Sequence, residues 1–104
     1  MISDLEKLLG TPRDGALLRY SLGLEYARAG ERERAIEHLR EAVSRDPLYS
    51  AAWKALGKTL AEAERNSEAL EAFRRGIDAA AKKGDKQAGK EMAVFARRLE
   101  KGGG

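Results

Sequence analysis

The chain has 104 residues, of which 42% are hydrophobic and 36% are charged, so its composition fits one soluble domain with a modest core. β-branched residues are few, which disfavours strands and indicates an all-α fold, and the absence of cysteine excludes disulfides and thiol catalysis. The 20 basic and 17 acidic residues leave a net charge of +3, which is too balanced to indicate nucleic-acid binding by itself.

The N-terminal segment predicts a short helix from Ser3 to Leu9. Ser3 and Glu6 have the spacing of a capping box, in which each side chain bonds to a free backbone amide of the first turn. Gly10 can end this helix, because a residue without Cβ adopts the left-handed conformation easily. The leucines of the segment form a narrow apolar edge, so we expect this helix to cover the end of the unit that follows.

Two helices that share the turn residue Gly30 are predicted next. The first spans from about Pro12 or Asp14 to Ala29, with Thr11 as its cap and Pro12 at the first helical position, where its missing N–H costs nothing. The second spans about residues 31–45 and has apolar residues at helical spacing. Pro47 follows its end, as is usual for a residue that cannot continue a helix.

A second pair of helices is predicted over about residues 49–63 and 66–82. The turn between them lacks a glycine like Gly30. Asn66 is therefore expected either to take the left-handed conformation or to cap the following helix. Gly84 ends the second helix of this pair.

The last helix is predicted over about residues 85–100, with Asp85 as its cap. One stripe of it is apolar, and its cations lie elsewhere, which is typical of a helix that closes a repeat array. The stripe contains Ala88, Met92, Phe95, Ala96 and Leu99, and the cations are Lys86, Lys90, Arg97, Arg98 and Lys101. A degenerate third repeat and a dimerisation helix are the alternatives. The segment from Lys82 to Lys101 has seven basic and three acidic residues, a weak indication of nucleic-acid binding.

The chain also contains an internal repeat with a spacing of 34 residues. It relates Arg19 to Trp53, Leu22 to Leu56, Gly23 to Gly57, Tyr26 to Leu60, Ala35 to Ala69, Leu39 to Phe73 and Ala42 to Gly76. A period of roughly 20 to 50 residues is typical of stacked supersecondary units rather than of one conventional core.

The repeated residues resemble the tetratricopeptide repeat, a helix-turn-helix unit with Trp, Leu-Gly, Tyr, Ala, Phe and Pro at fixed positions. The second copy has Trp53, Leu56, Gly57, Ala69 and Phe73, with Leu60 and Ala81 in place of Tyr and Pro. The first copy has Leu22, Gly23, Tyr26, Ala35 and Pro47, with Arg19 and Leu39 in place of Trp and Phe. The resemblance implies an all-α fold of antiparallel helical hairpins, stacked as a short right-handed superhelix.

The predicted segments are a short N-terminal helix (1–10), a first repeat (11–47), a second repeat (48–83), a capping helix (84–101) and a flexible tail (102–104). Arg19 is expected to anchor the first repeat less well than Trp would. Gly23 and Gly57 lie inside helices, where glycine costs about 1 kcal/mol relative to alanine. Close contact between helices must offset that cost.

The resemblance further implies a concave groove lined by the first helix of each repeat. The residues that would face it are Leu17, Tyr20, Leu24 and Ala27, followed by Ala51, Lys54, Lys58 and Ala61. Lys54 and Lys58 lie one helical turn apart on one face, so a peptide or partner protein with an acidic group is expected there. The predicted function is that of an adaptor or scaffold for protein–protein interaction. A merely solvated pair of lysines, self-association into a homo-oligomer, and weak nucleic-acid binding through the last helix are the alternatives.

Catalysis, metals and cofactors are not expected. His38 is the only histidine, and it lies off the apolar stripe of its helix, which predicts a solvated position. Gly57-Lys58-Thr59 superficially resembles the end of a phosphate-binding loop, but no strand precedes it. No apolar run approaches the roughly 20 residues that span a membrane, so a cytoplasmic location without a membrane partner is expected.

Overall fold

The structure, a computed structural model, describes residues 1–102. Its helices are α1 (Ile2–Glu6), α2 (Ala16–Arg28), α3 (Arg32–Arg45), α4 (Ser50–Glu62), α5 (Asn66–Lys83) and α6 (Lys86–Gly102), and no strand occurs within the described residues. α2 pairs with α3 and α4 with α5, α3 contacts α4, and α6 packs on α5. The predicted all-α stack of antiparallel hairpins is confirmed.

The helix starts near the N-terminus differ from the prediction. α1 begins at Ile2 and has no side-chain cap, so the predicted capping box at Ser3 is wrong. α2 begins at Ala16 rather than at Pro12 or Asp14, with extended Gly15 before it. The Thr11 hydroxyl donates to the carbonyl of Leu8 at 2.5 Å and accepts from the backbone N–H of Arg13 at 3.2 Å, so it bonds within the loop before α2 and does not cap that helix.

Asp14 holds the loop before α2 in place. Its carboxylate accepts hydrogen bonds from the backbone N–H of Gly10 at 3.0 Å and from two nitrogens of Arg19, at 2.9 and 3.0 Å. Arg45 of α3 donates to the backbone carbonyl of Asp14 at 2.6 Å. The residue that replaces Trp in the first repeat, Arg19, is thus anchored by charge instead of by apolar packing.

The larger apolar core lies between α3, α4, α5 and α6. It contains Ile36, Leu39, Val43, Trp53, Leu56, Leu60, Phe73 and Met92, among others. Trp53 is 9% exposed, and its indole N–H donates to the carbonyl of Pro47 at 2.8 Å. Trp53 therefore belongs to the core.

A smaller apolar cluster forms where α1 meets α2. Leu18, Leu22, Tyr26 and Ala35 are buried there, and Ile2, Leu5, Leu8 and Leu9 pack against them. The Tyr26 hydroxyl donates to the carboxylate of Glu6, so α1 is also fixed by a polar contact. α1 lies over the end of the first hairpin, in the place expected for it.

The glycines inside α2 and α4 allow the two helices of each hairpin to approach closely. A Cβ on Gly23 would lie 2.5 Å from Cγ of Leu39, and a Cβ on Gly57 would lie 2.5 Å from the Phe73 ring. Atoms at that distance overlap, so a larger residue would force the helices apart. The close packing that these two glycines permit offsets their low helix propensity.

The last helix follows the repeat with a changed spacing. Leu18, Leu22 and Tyr26 are buried in α2, and the buried residues 34 positions later in α4 are Ala52, Leu56 and Leu60. In α6 the buried residues are Ala88, Met92 and Ala96, 36 positions after those of α4. α6 therefore takes the place of the first helix of a further hairpin, two residues later than the repeat predicts.

The change of spacing comes from α5, which has 18 residues where α3 has 14, while the turn after α5, Gly84 and Asp85, is two residues shorter than the turn after α3. Gly84 has φ 75° and ends α5 in the left-handed conformation. Asp85 accepts a bond from the backbone N–H of Ala88 at 3.1 Å, so the predicted cap of the last helix is confirmed. The Ser50 hydroxyl donates to the same carboxylate at 3.0 Å and joins the start of α4 to the start of α6.

The segment division made from the sequence stays a prediction. Of the predicted tail, Gly102 is the last residue of α6, and residues 103 and 104 lie outside the described part.

The close contact at Gly57 predicts opposite effects for two Gly→Ala substitutions within helices. Gly57→Ala should lower the free energy of unfolding by about 1–3 kcal/mol, because Phe73 is buried and its ring cannot move aside. Gly89→Ala should raise it by about 0.5–1 kcal/mol, since its Cβ would meet only Cβ of Ala80, at an ordinary 3.7 Å. Urea unfolding measures both, and stabilisation by Gly57→Ala would contradict the close approach.

The turn between α4 and α5 predicts a second stability effect. Glu64, not Asn66, takes the left-handed conformation, with φ 60°, and it lies 34 residues after Gly30, whose φ is 80°. Glu64→Gly should raise the free energy of unfolding by about 0.5–1 kcal/mol, because a side chain with Cβ is strained there. The matched control, Glu37→Gly inside α3, should lower it by about 1 kcal/mol. Destabilisation by both variants in thermal unfolding would refute this account of the turn.

The bonds to Asp14 predict a pH dependence. The hydrogen bonds from Arg19, first, and from the backbone of Gly10 hold the pKa of Asp14 well below its ordinary 3.8. Its contribution to stability is therefore complete above the unfolded pKa and is lost as the pH falls through the folded one. Asp14→Asn should unfold more easily than wild type at pH 7, with the difference shrinking below pH 3.8. A difference that stays constant on acidification would show that the charge of Asp14 is not what holds the loop.

Candidate ligand-binding site

One face of the molecule is formed by α2, α4 and α6. α4 contacts both α2 and α6, while α3 and α5 lie behind them in the pairs already described. The residues that the resemblance placed in a concave groove belong to α2 and α4. The third helix of this face, α6, was expected to close the array and not to line the groove.

The α2 residues of the predicted groove have different surroundings. Leu17 is 69% exposed, whereas Tyr20 packs against Tyr49 with the ring centroids 4.9 Å apart. Ala27 packs on the cluster beneath α1, and Leu24 is half-buried. The apolar and aromatic wall expected from α2 is therefore open mainly at Leu17.

The two lysines of α4 also differ. Lys54 donates to Glu91 of α6 at 2.8 Å, and this bond lowers the pKa of Glu91. Lys58 is exposed and lies 5.5 Å above the centre of the Phe95 ring, with no ion pair to any of residues 1–102. Ala51 is half-buried beside them. Of these two lysines, Lys58 is the one that is not already bound to a carboxylate.

A pocket of about 360 Å³ opens next to Lys58, between the C-terminal halves of α4 and α6 and the start of α5. Its apolar lining consists of Ala61, Phe73, Phe95 and Leu99, and its polar lining of Lys58, Glu62, Asn66 and Arg98. The rings of Phe73 and Phe95 stack at 5.5 Å, and the guanidinium of Arg98 lies 5.9 Å from the centre of Phe95. Two cations thus flank one aromatic ring at the mouth of an apolar pocket, called here the Phe95 pocket.

The α6 side of the Phe95 pocket was not predicted from the sequence. Phe95 and Leu99 were assigned to the stripe that α6 buries, and Arg98 to its solvated side. The signal that could have found them is the 36-residue spacing of buried residues in α6, which places this helix beside α4 on the same face. In the sequence, the residues 34 positions after Leu56 and Gly57 are Lys90 and Glu91. The 34-residue repeat therefore does not reveal that α6 corresponds to α4.

A larger groove of about 630 Å³ lies on the opposite face, between α3 and α5 and above Trp53. The charges at its edges are paired with one another: Arg40 lies 3.5 Å from Glu68, and Arg75 lies 2.9 Å from Glu71. A ligand there would have to displace these pairs. The Phe95 pocket, although smaller, offers cations without such partners in the described chain.

His38 is not solvated, contrary to the expectation from its position in the helix. It is half-buried and stacks on Tyr26, with the ring centroids 5.5 Å apart and the planes 2° apart. Burial, together with the nearby Arg19, lowers the pKa of His38. Its surroundings are those of a packing residue. No group of His, Asp and Glu suited to a metal ion occurs in residues 1–102.

Comparison with known proteins identifies the family. The sequence pattern of the tetratricopeptide repeat matches residues 20–85. The chain belongs to the tetratricopeptide repeat family. It is similar to the TPR repeat-containing protein PA0015 of Pseudomonas aeruginosa, with 50% identity over 101 residues that cover 97% of this chain and 96% of the other.

Solved structures agree with this family. The solution structure of protein BPP2914 from Bordetella parapertussis superimposes with a TM-score of 0.82 and 42% identity, over 97% of this chain and 88% of the other. A tetratricopeptide repeat domain protein from Salinibacter ruber gives a TM-score of 0.78 and 25% identity, over 84% and 88% of the two chains. Domains of this family generally mediate protein–protein interaction and typically act as non-catalytic scaffolds. Among the described residues, no helix has the length and apolar character needed to cross a membrane.

Proposed function

We propose that this tetratricopeptide repeat protein is an adaptor that binds a peptide, or an extended segment of a partner protein, on the face formed by α2, α4 and α6. An acidic group of the ligand would lie between Lys58 and Arg98, and an adjoining apolar side chain would enter the Phe95 pocket. The single observation that supports this most is the pair of cations at the mouth of an apolar pocket.

The chemistry of the pocket favours a ligand with both features. Ala61, Phe73, Phe95 and Leu99 offer apolar surface that gains free energy by leaving water, at about 25 cal/mol per Å². A carboxylate between Lys58 and Arg98 would meet two cations that have no ion-pair partner within residues 1–102. Glu62 borders the same pocket and would disfavour a ligand with a second negative charge on that side.

Lys54 has a different role in this proposal. Its bond to Glu91 joins α4 to α6 and keeps the Phe95 pocket in shape, so a ligand that used Lys54 directly would have to break that pair. The exposed Leu17 and the half-buried Leu24, Ala27 and Ala51 would contact the rest of the ligand along the face. Tyr20, which packs against Tyr49, would contact the ligand on the same face.

Self-association has less support from the surface. The exposed large apolar residues of the described chain are Met1, Leu17, Leu48 and Val94, which lie on separate elements. Stable interfaces between proteins have a continuous apolar centre. Scattered residues of this kind do not supply one.

The proposal predicts the outcome of selecting ligands from a displayed library of random peptides. Selected peptides should combine an Asp or Glu with a large apolar residue, and Lys58→Glu/Arg98→Glu should weaken their binding at least about tenfold. Lys82→Glu/Lys83→Glu, with the same change of net charge on α5, is the matched control and should bind within about twofold of wild type. Peptides that bind equally to both variants would place the ligand elsewhere.

A further inference from the structure

The structure leaves the outer side of α5 and α6 without a covering helix. In the second hairpin, Trp53 and Gly57 of α4 face α5: Gly57 meets Phe73, and Trp53 meets Gly76. With the 36-residue spacing, the corresponding residues of α6 are Gly89 and Ala93. The described chain has no helix that lies on them as α5 lies on α4.

A trough of about 490 Å³ occupies this place. It is lined by Ile77, Ala80, Ala81, Gly84, Gly89 and Ala93, with Asp85, Lys86 and Lys90 at its edge. Ala81 is exposed, and Ile77, Gly89 and Ala93 are half-buried. A salt bridge from Arg74 of α5 to Glu100 of α6, at 3.1 Å, joins the two helices further along.

The trough lining carries a net positive charge, because Lys86 and Lys90 outnumber Asp85. Asp78 of α5, next to Ile77, is an exposed carboxylate without an ion pair in residues 1–102. Asp85 accepts from Ser50 and from the backbone of Ala88, and Glu100 pairs with Arg74. Glu91 is held by Lys54 on the other side of α6. Lys86 and Lys90, one turn apart, have no carboxylate within ion-pair distance in residues 1–102.

We propose that the trough binds an acidic amphipathic helix of another protein, which lies on α6 as α5 lies on α4. Its apolar side would cover Ile77, Ala81 and Ala93, and its glutamates or aspartates would meet Lys86 and Lys90. The small residues of the trough allow the backbone of a helix to approach closely. This surface is distinct from the Phe95 pocket, and the proposal does not depend on the proposed function.

A second copy of the chain does not fit this surface. Trough against trough would bring Lys86 and Lys90 of one copy towards the same lysines of the other, and like charges repel. No other described helix offers a continuous apolar stripe to a neighbour, because the exposed large apolar residues are scattered. The charge of the trough therefore favours a different protein as the occupant.

The probe for this proposal is an 18-residue helical peptide that keeps the apolar residues of α5 and carries glutamate at its other positions. In NMR titration of the full chain, the amide signals of Ile77, Ala81, Gly89 and Ala93 should shift. Lys86→Glu/Lys90→Glu should weaken binding at least about tenfold, and so should Ala81→Glu, whose side chain points into the trough from an exposed site. A peptide of the same pattern with lysine in place of glutamate should not bind.

The matched control is Lys58→Glu/Arg98→Glu, which alters the Phe95 pocket and should leave the peptide affinity within about twofold of wild type. Three results would overturn the proposal. One is a peptide that does not bind or that shifts signals outside the trough. Another is a concentration-dependent shift of the same signals without peptide, which would indicate a second copy. The third is a DNA duplex that shifts Lys86 and Lys90 while the peptide shifts nothing, which would assign the cations to nucleic acid.

Discussion

The close contact of a glycine with a large side chain of the next helix is the constraint on which the stack depends. Gly23 receives Leu39, and Gly57 receives Phe73, so each hairpin closes at a distance that only a missing Cβ permits. The same principle joins α6 to the rest. A Cβ on Gly76 would lie 2.3 Å from the sulfur of Met92 and 2.7 Å from Cβ of Trp53. One glycine of α5 is therefore the point at which α4, α5 and α6 meet, and the Phe95 pocket and the trough both depend on how closely α6 lies there.

Polar contacts then determine where the surface is free to bind. Between helices, carboxylates are used for structure: Asp14 holds Arg19, Glu91 holds Lys54, and Asp85 holds Ser50. Because these acids are occupied, several cations of α4 and α6 are left without a partner in the described chain. Three basic residues of the C-terminal segment, Lys86, Lys90 and Arg98, line the two apolar depressions. That arrangement suits partners that are acidic and apolar at once.

The sequence predicted the fold well because the 34-residue spacing repeats the contacts that decide helix pairing. The sequence predicted the ends of helices less well, because there a polar side chain can bond either to the helix terminus or to another group. Thr11 has a local backbone acceptor, and Asp14 binds Arg19, so α2 starts later than proline suggested. The left-handed residue of the second turn is Glu64, which no propensity would select. The site was only partly predictable. Glu91 of α6 binds Lys54 and leaves Lys58 without an ion pair in the described chain. The position of α6 depends on a shift of two residues that only the three-dimensional structure shows.

The unequal attachment of the two terminal helices has a consequence for the order in which the protein opens. α1 has no buried residue and one polar contact to α2, through Glu6 and Tyr26. α6 buries Ala88, Met92 and Ala96, and its Glu91 and Glu100 accept bonds from Lys54 of α4 and Arg74 of α5. Stacked helices that contact mainly their neighbours in sequence open from their ends. Amide protons of α1 therefore exchange with solvent earliest, while the C-terminal end opens only together with the core around Gly76.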